Sequence, residues 1–344
     1  MKRLLALLLA LCLLCGCSAK PVTAQGFAMD TILSVSLYQG GSQALAQEAL
    51  SLADEAEARL SCHREGTEIS RLNQEGSATL SPETAELLAF CLDMYAASSG
   101  ALDIGLGGVS ALWDFSAEQP SLPEESALLE TLSHAGADGL RLDGNEATLL
   151  DPCMQLDLGA VAKGALADDM AALLRERGVT SFLLNLGGCL YLSGGKDGEP
   201  FRVGVEDPRQ SGSMLGVLYL TEGAVSTSSG AQRGFTLDGV RYHHILDPKT
   251  GYPADAGLLS VTVVCPSGLL ADALSTACFV LGKDASLDLW RRCGETGLWP
   301  THETTGMADE GGFDLILVGE DGTVYEDAAP QGKVVNSTGS GDSM

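Results

Sequence analysis

Three features of the chain predict an α+β fold. Strand-like and helical segments interleave without the strict alternation of a doubly wound protein. Asp143-Gly144 and Asp321-Gly322 each lie between runs of strand character and signal antiparallel hairpins. Several stretches repeat apolar residues at helical spacing rather than at period two. No internal repeat and no long Pro/Ser-rich linker interrupts the 344 residues, which favours one compact domain of mixed α and β elements with a central sheet.

The N-terminus comes first. Lys2 and Arg3 precede an apolar run from Leu4 to Leu14, so residues 1–16 read as a secretory signal, too short to span a membrane as a helix of the mature chain. Leu14-Cys15-Gly16-Cys17 resembles a bacterial lipobox, although Cys15 is unusual at its position. That resemblance implies cleavage before Cys17, a diacylglyceryl group on its sulfur and a lipid-anchored linker over residues 17–25. The protein would then be held on the exported side of the cell membrane, since two or more acyl chains anchor stably. Ordinary secretion with simple cleavage is the alternative.

Losing Lys2 and Arg3 takes the formal net charge from −26 to −28, which argues against nucleic acid as a partner. An anionic substrate would need a local cation, and a divalent metal is the natural candidate. Outside the signal and lipobox the cysteines are Cys62, Cys91, Cys153, Cys189, Cys265, Cys278 and Cys293, an odd number without a CxxC pair. Cys265 and Cys278 lie in apolar runs, so buried free thiols are expected rather than zinc ligands. The exported side would still permit one or two disulfides.

The domain proper is expected over residues 26–332. A strand-like run covers Phe27 to Tyr38. A helix follows from about Ser42 to Leu60, with Leu45, Ala49, Leu52, Ala56 and Leu60 on one face, and another from Pro82 to Ala97. Gly100 to Gly108 is a glycine-rich turn region, and Leu140 to Leu156 reads as a hairpin. Next comes LDLGAVAKGALADDMAALLRERGVTSFLLNLGG, Leu156 to Gly188: a strand end, a glycine turn, a helix and a second strand ending in paired glycines. The helix is expected to start near Gly159, and Gly178 suits its C-terminal cap. Its first-turn N–H groups, the dipole and Lys163 would suit a phosphate. The same pattern also occurs as plain scaffolding, and neither GxxxxGK[ST] nor GxGxxG is present.

Further strands are expected at Phe201–Val205, Leu215–Leu220 and Leu259–Val264, then a helix from Leu269 to Leu281 and a hairpin over Phe313 to Tyr325. Residues 333–344 read as a disordered tail. On the 269–281 helix, Leu270, Leu274, Ala277, Cys278 and Leu281 form an apolar stripe, and Asp272 and Thr276 lie opposite it. Being four apart, they point the same way, as hard oxygen ligands for Mg²⁺ would. An Asp in a first turn also serves simply as a partner of the helix dipole.

Two other clusters stand out. Arg241 to Pro253 packs His243 and His244 against an Asp247-Pro-Lys-Thr-Gly251 turn. Turn chemistry explains the Asp, Pro and Gly but not the histidines, which suit proton transfer. If one is active, His244 is favoured, with His243 directed to the other side. Ala224-Val-Ser-Thr-Ser-Ser-Gly230 reads as a hydroxyl-rich turn after a strand, able to donate to phosphate or ribose, and it is not a GxSxG elbow.

Taken together, LDLGAVAKG, NLGG, AVSTSSG, YHHILDPKTGYP and ADALSTA, in this order, resemble the ApbE family of FAD:protein FMN transferases, which are often exported bacterial lipoproteins. Ala28-Met-Asp-Thr31, Thr67 to Asn73, Gly100 to Asp103 and Leu112-Trp113 extend the likeness over nearly the whole mature chain. The resemblance implies an ApbE-type α+β fold that binds FAD and uses Mg²⁺ to move FMN onto a Thr or Ser hydroxyl of a partner protein, releasing AMP. By position, the metal would be held by Asp272, Thr276 and the backbone carbonyl of Ala160. Flavin contacts would fall on Met29, Ala101, Leu102, Asp103, Asp157, Lys163 and Ile245. Asp272 and His244 would be catalytic, with His244 or a path through Asp272 taking the hydroxyl proton. The acceptor would be an exported or membrane electron-transfer protein.

Departures from the family pattern are Ala160 in place of Gly or Thr, Ser229-Gly230-Ala231 in place of Gly-Asp-Tyr, and Gly107-Gly108 in place of Gly-Pro. Two other outcomes stay open on the sequence: an FAD pyrophosphatase giving FMN and AMP, and a flavin-binding lipoprotein without turnover.

Overall fold

The computed structural model describes residues 20–115, 117, 119–296 and 313–327. Cys17, the signal, the 332 boundary and the 333–344 tail lie outside the described residues. In chain order the elements are β1 (Val22–Ala28), β2 (Thr31–Gln39), α1 (Gln43–Leu60), α2 (Glu68–Glu75), β3 (Ser77–Thr79), α3 (Pro82–Ala97), α4 (Gly107–Trp113) and α5 (Glu125–Leu132). Then follow β4 (Leu140–Asp143), β5 (Glu146–Leu149), α6 (Ala162–Glu176), β6 (Ser181–Leu186), β7 (Cys189–Ser193), β8 (Phe201–Glu206) and β9 (Met214–Leu220). The last are β10 (Glu222–Ser229), β11 (Gly234–Leu237), β12 (Val240–His243), β13 (Leu258–Cys265), α7 (Gly268–Thr296), β14 (Asp314–Gly319) and β15 (Val324–Asp327).

Eight strands form the central sheet in the order β1-β2-β6-β7-β10-β13-β14-β15, and every ladder in it is antiparallel. Alternation along these strands divides the core into two layers. On β10 and β13, Ala224, Val261, Val263 and Cys265 face the helical layer, where α1, α6 and α7 pack. Val225 and Val264 face the other side, with Leu192 and Ile316, and are covered by Phe201, Val203, Val205 and Leu218 of the β8–β9 hairpin. Each face of the sheet therefore has its own cover.

Local signals set the helix ends. Ser42 caps α1 by accepting from the Leu45 N–H at 3.2 Å, and Ser81 does the same for α3 at Thr84, with Pro82 in the first turn. Asp168 reaches across from α6 to the start of α7, accepting from the N–H groups of Gly268 (2.6 Å) and Leu269 (3.0 Å) and from the Ser267 hydroxyl (2.8 Å). Regular α7 geometry breaks at Gly282, φ 76°, one residue beyond the expected end of the helix.

Four sequence expectations need correction. The Phe27–Tyr38 run is two strands, because Met29 (φ 49°) and Asp30 (φ 57°) form a two-residue turn with positive φ. Among the described residues the first strand starts at Val22, inside the expected linker 17–25, since β1 pairs residue for residue with β2 from Val22 opposite Leu37. The helix expected near Gly159 starts at Ala162. The hydroxyl-rich Ala224–Ser229 stretch is strand β10 rather than a turn, held between β7 and β13. All seven cysteines named above are free thiols, and Cys265 and Cys278 are buried as expected. No described helix is long and apolar enough to cross a membrane.

Candidate active site

The first turns of α6 and α7 cross so closely that neither tolerates a side chain at the contact. A Cβ on Gly164 would overlap the Gly268 carbonyl and stand 2.7 Å from the Asp272 Cβ, while one on Gly268 would stand 2.6 Å from the Gly164 carbonyl. This approach lets Asp272, in the opening of α7, accept the Gly164 N–H through Oδ2 at 3.1 Å. Its Oδ1 accepts the Ser226 hydroxyl of β10 at 2.9 Å. The sequence expected the first-turn N–H groups of α6 to stand open for a phosphate, but the Gly164 N–H is engaged by Asp272.

Period two on β10 puts Ser226 and Ser228 on the helical side with Ala224. Ser228 Oγ lies 2.9 Å from Ser275 Oγ and 3.3 Å from Thr276 Oγ1. Asp272 is only 6% exposed and Ser275 is fully buried, so the face opposite the apolar stripe looks into the β10 strand. Asp272 takes part in none of the ion pairs among the described residues. A buried carboxylate bonded by a hydroxyl and a backbone amide, with no ion-paired cationic side chain among the described residues, is a hard-oxygen environment.

The approach to α6 adds further groups. Asp157 Oδ1 accepts the Gly159 N–H at 2.8 Å, and Lys163 Nζ reaches back to the Gly159 carbonyl at 3.3 Å, so the Asp157–Lys163 loop is tied at both ends. Ala160 lies half-buried within it. The Asp157 N–H donates to the Ile104 carbonyl at 2.8 Å, which lays Ala101–Asp103 beside Asp157. Ala101 and Leu102 are buried. Asp103 Oδ1 accepts from Gly105 (2.7 Å) and Ala137 (2.9 Å), yet burial pushes its carboxyl up to about 6 against those two bonds.

His244 faces the same region. Its Nδ1 lies 3.2 Å from the Arg233 carbonyl. A carbonyl only accepts, so Nδ1 carries the proton and Nε2 keeps its lone pair. Burial, with the charges of Arg233 and Lys163 adding to it, holds this imidazole down to about 4. Arg233 also pairs with Asp30 at 3.9 Å, which draws the Met29–Asp30 turn toward the histidine. The Met29 N–H is taken by Glu57 Oε1 at 2.6 Å. His243, as expected, turns elsewhere: its ring packs edge-on to Phe279 and against Gly230, and its buried Nδ1 has no hydrogen-bond partner among the described residues. Ile245 is buried, and its carbonyl accepts the Ala254 N–H at 2.9 Å.

The expected residues thus fall into linked groups: Asp272 with Thr276, Asp157 with Lys163 and the Ala101–Asp103 loop, and His244 with the Met29 turn. Sequence reasoning gave Ser226 and Ser228 only a general role as donors to phosphate or ribose within a turn, and gave Ser275 and Asn73 none. Strand alternation through Ala224-Val-Ser-Thr-Ser was the available signal for the first two. For Asn73 there was none, because its amide bonds both to the Leu156 carbonyl (2.9 Å) and to the Leu156 N–H (2.7 Å) across more than eighty residues of chain.

A wholly antiparallel central sheet with a carboxylate, hydroxyls and helix starts gathered at one junction places the protein among α+β domains with a polar site at the sheet–helix boundary. The ApbE family model matches residues 29–298, and the chain belongs to that family. It is 33% identical over 311 residues to the FAD:protein FMN transferase of Treponema pallidum, covering 81% of this chain and 86% of that protein. With the FAD:protein FMN transferase of Vibrio cholerae it shares 31% identity over 300 residues, 83% of this chain and 90% of the relative. The ApbE protein of Thermotoga maritima superposes with a TM-score of 0.79 at 28% identity, covering 89% of this chain and 97% of that one. The flavin transferase ApbE from Vibrio cholerae gives 0.77 at 26%, covering 91% and 98%.

Proposed function

We propose that this protein transfers FMN from FAD to a Thr or Ser hydroxyl of a partner protein and releases AMP, with Mg²⁺ held at Asp272. The reading is carried by the buried Asp272 carboxylate, which meets only hydroxyl and amide donors. Family membership and the names of the relatives agree with it. The donor set fits a hard divalent ion: the Asp272 carboxylate, the Thr276 hydroxyl and the Ala160 carbonyl would hold it, with Ser226 orienting Asp272. When bound, the ion supplies positive charge against a pyrophosphate and against charge developing on the AMP leaving group.

The remaining work falls to the chain. Lys163 adds a cation beside the α6 start, and the Ala101–Asp103 and Asp157 loops form a wall for the flavin. The acceptor hydroxyl oxygen bonds to the phosphorus nearest riboflavin, the bridging P–O bond to AMP breaks, and the hydroxyl proton passes to a base. His244, neutral with Nε2 free, is suited to take it, and the negative charge of FAD would raise its basicity. Anchoring at the exported face of the cell membrane through Cys17 completes the proposal, and an exported or membrane electron-transfer subunit is the acceptor it implies.

Asp272→Asn is the direct test, because it keeps the size and an acceptor for Ser226. With FAD, Mg²⁺ and an acceptor present, AMP release should fall by about 10²- to 10³-fold. Full activity in this variant would remove Asp272 from the mechanism.

A further inference from the structure

Beside the hard-oxygen junction, and sharing Asp157 with the loop assigned to the flavin, the structure holds a second cluster of a different chemical kind. Cys62, His63 and Asp157 bring a thiol, an imidazole nitrogen and a carboxylate oxygen within 4.8 Å of one another. We propose that Cys62, His63 and Asp157 form a binding site for a borderline-soft divalent cation of the zinc type, beside the loop that leads into α6.

The scaffold under these ligands is well tied. Ser61 ends α1, and its Oγ accepts the N–H groups of His63 and Arg64, both at 3.2 Å. Thr67 Oγ1 donates to the Ser61 carbonyl at 2.6 Å, closing the turn from the other side. Glu57 links this turn to the candidate active site, accepting from Met29 with one oxygen and from Arg64 (3.2 Å) with the other. Asp157 is held by its own N–H on Ile104 and by Gly159 on Oδ1. Only the side chain of His63 is free to swing, since it is exposed while Cys62 and Asp157 are half-buried.

Ligand atoms around tetrahedral zinc lie about 3.3 to 3.8 Å apart, so from separations within 4.8 Å closure requires a movement of at most about 1.5 Å, which the exposed imidazole can supply. Three protein ligands leave a fourth position for water on the solvent side. Thiolate with imidazole selects zinc-type ions and disfavours Mg²⁺, so this site would not compete for the ion expected at Asp272. Burial, reinforced by the negative charge of Asp157, pushes the Cys62 thiol up to about 12. The same carboxylate attracts a dication, and a coordinated thiol gives up its proton outright.

Co²⁺ titration of the purified protein tests the site, using the near-ultraviolet thiolate-to-cobalt absorption as readout. A second Cys-His-Asp group, His134, Asp151 and Cys153, provides the necessary control. With excess Mg²⁺ present to fill the Asp272 site, the expected result is one thiolate-bound cobalt per chain in the wild type and in Cys153→Ser, loss of the band in Cys62→Ser, and at least a tenfold weaker Kd in His63→Gln. Because His63 is exposed, that variant reports on the site even if Cys62→Ser folds poorly. Absence of a thiolate band in the wild type, a band and Kd unchanged in both Cys62→Ser and His63→Gln, or loss of the band only in Cys153→Ser would each overturn the proposal.

Discussion

Ser226 on β10 donates its hydroxyl hydrogen to Asp272 on α7 at 2.9 Å, joining the middle of the sheet to the helix that carries the candidate metal ligand. Both residues are buried, so the bond forms where water cannot replace it. Removing it by Ser226→Ala leaves the Asp272 carboxylate with the Gly164 N–H as its remaining hydrogen bond among the described residues. The expected cost is about 1.5–3 kcal/mol in chemical unfolding. Isothermal titration should show Mg²⁺ affinity reduced by about 10- to 100-fold.

Gly164→Ala tests the close crossing of α6 and α7. The added methyl meets the Gly268 carbonyl and the Asp272 Cβ, so the helices must separate. Thermal unfolding should report a loss of about 1–3 kcal/mol, and Mg²⁺ binding should weaken with it. Wild-type stability in this variant would mean that the crossing relaxes without cost.

Asn73 acts as a side-chain substitute for a strand neighbour, closing both backbone groups of Leu156 just before Asp157. Asn73→Ala strands a buried N–H and a buried carbonyl, at an expected cost of about 2–4 kcal/mol in urea unfolding with an unchanged slope. The loosened loop should also raise KM for FAD.

His244 predicts a pH effect with a definite sign. Its folded pKa is about 4, below the unfolded value of 6.5, so between these values the unfolded chain binds a proton that the folded chain does not. Stability is therefore retained above about pH 6.5 and is lost as pH falls toward 4, with a slope of at most about 1.4 kcal/mol per pH unit from this group. His243, also lowered by burial, adds a slope of the same sign. His244→Gln should flatten the acid limb of a stability–pH curve without abolishing it.

How legible this was in the sequence depended on range. Helices with their own caps were plain: Ser42 and Ser81 announce α1 and α3, and the Asp272/Thr276 pair was visible as an i, i+4 spacing on one helix face. The hairpin turn at Met29-Asp30 was missed because Asp30 suits a turn but Met29 does not, and positive φ at a methionine is a choice that local propensity does not favour. Strand β10 was hidden by its own chemistry. Ser and Thr suggest a turn until their hydroxyls find partners, and those partners, Asp272, Ser275 and Thr262, come from α7 and β13. Asn73 on Leu156 and Asp168 on α7 are likewise contacts between distant segments, which no local pattern encodes.

The central claim is group transfer rather than simple cleavage, and the mass of the acceptor decides it. The protein is incubated with FAD, Mg²⁺ and an exported acceptor bearing a Thr/Ser flavinylation motif, and the acceptor is then measured intact. The account predicts a gain equal to one FMN residue, matched by AMP. An unmodified acceptor with AMP and free FMN in solution would contradict it and make the protein a pyrophosphatase; an unmodified acceptor with FAD bound and uncleaved would make it a flavin carrier.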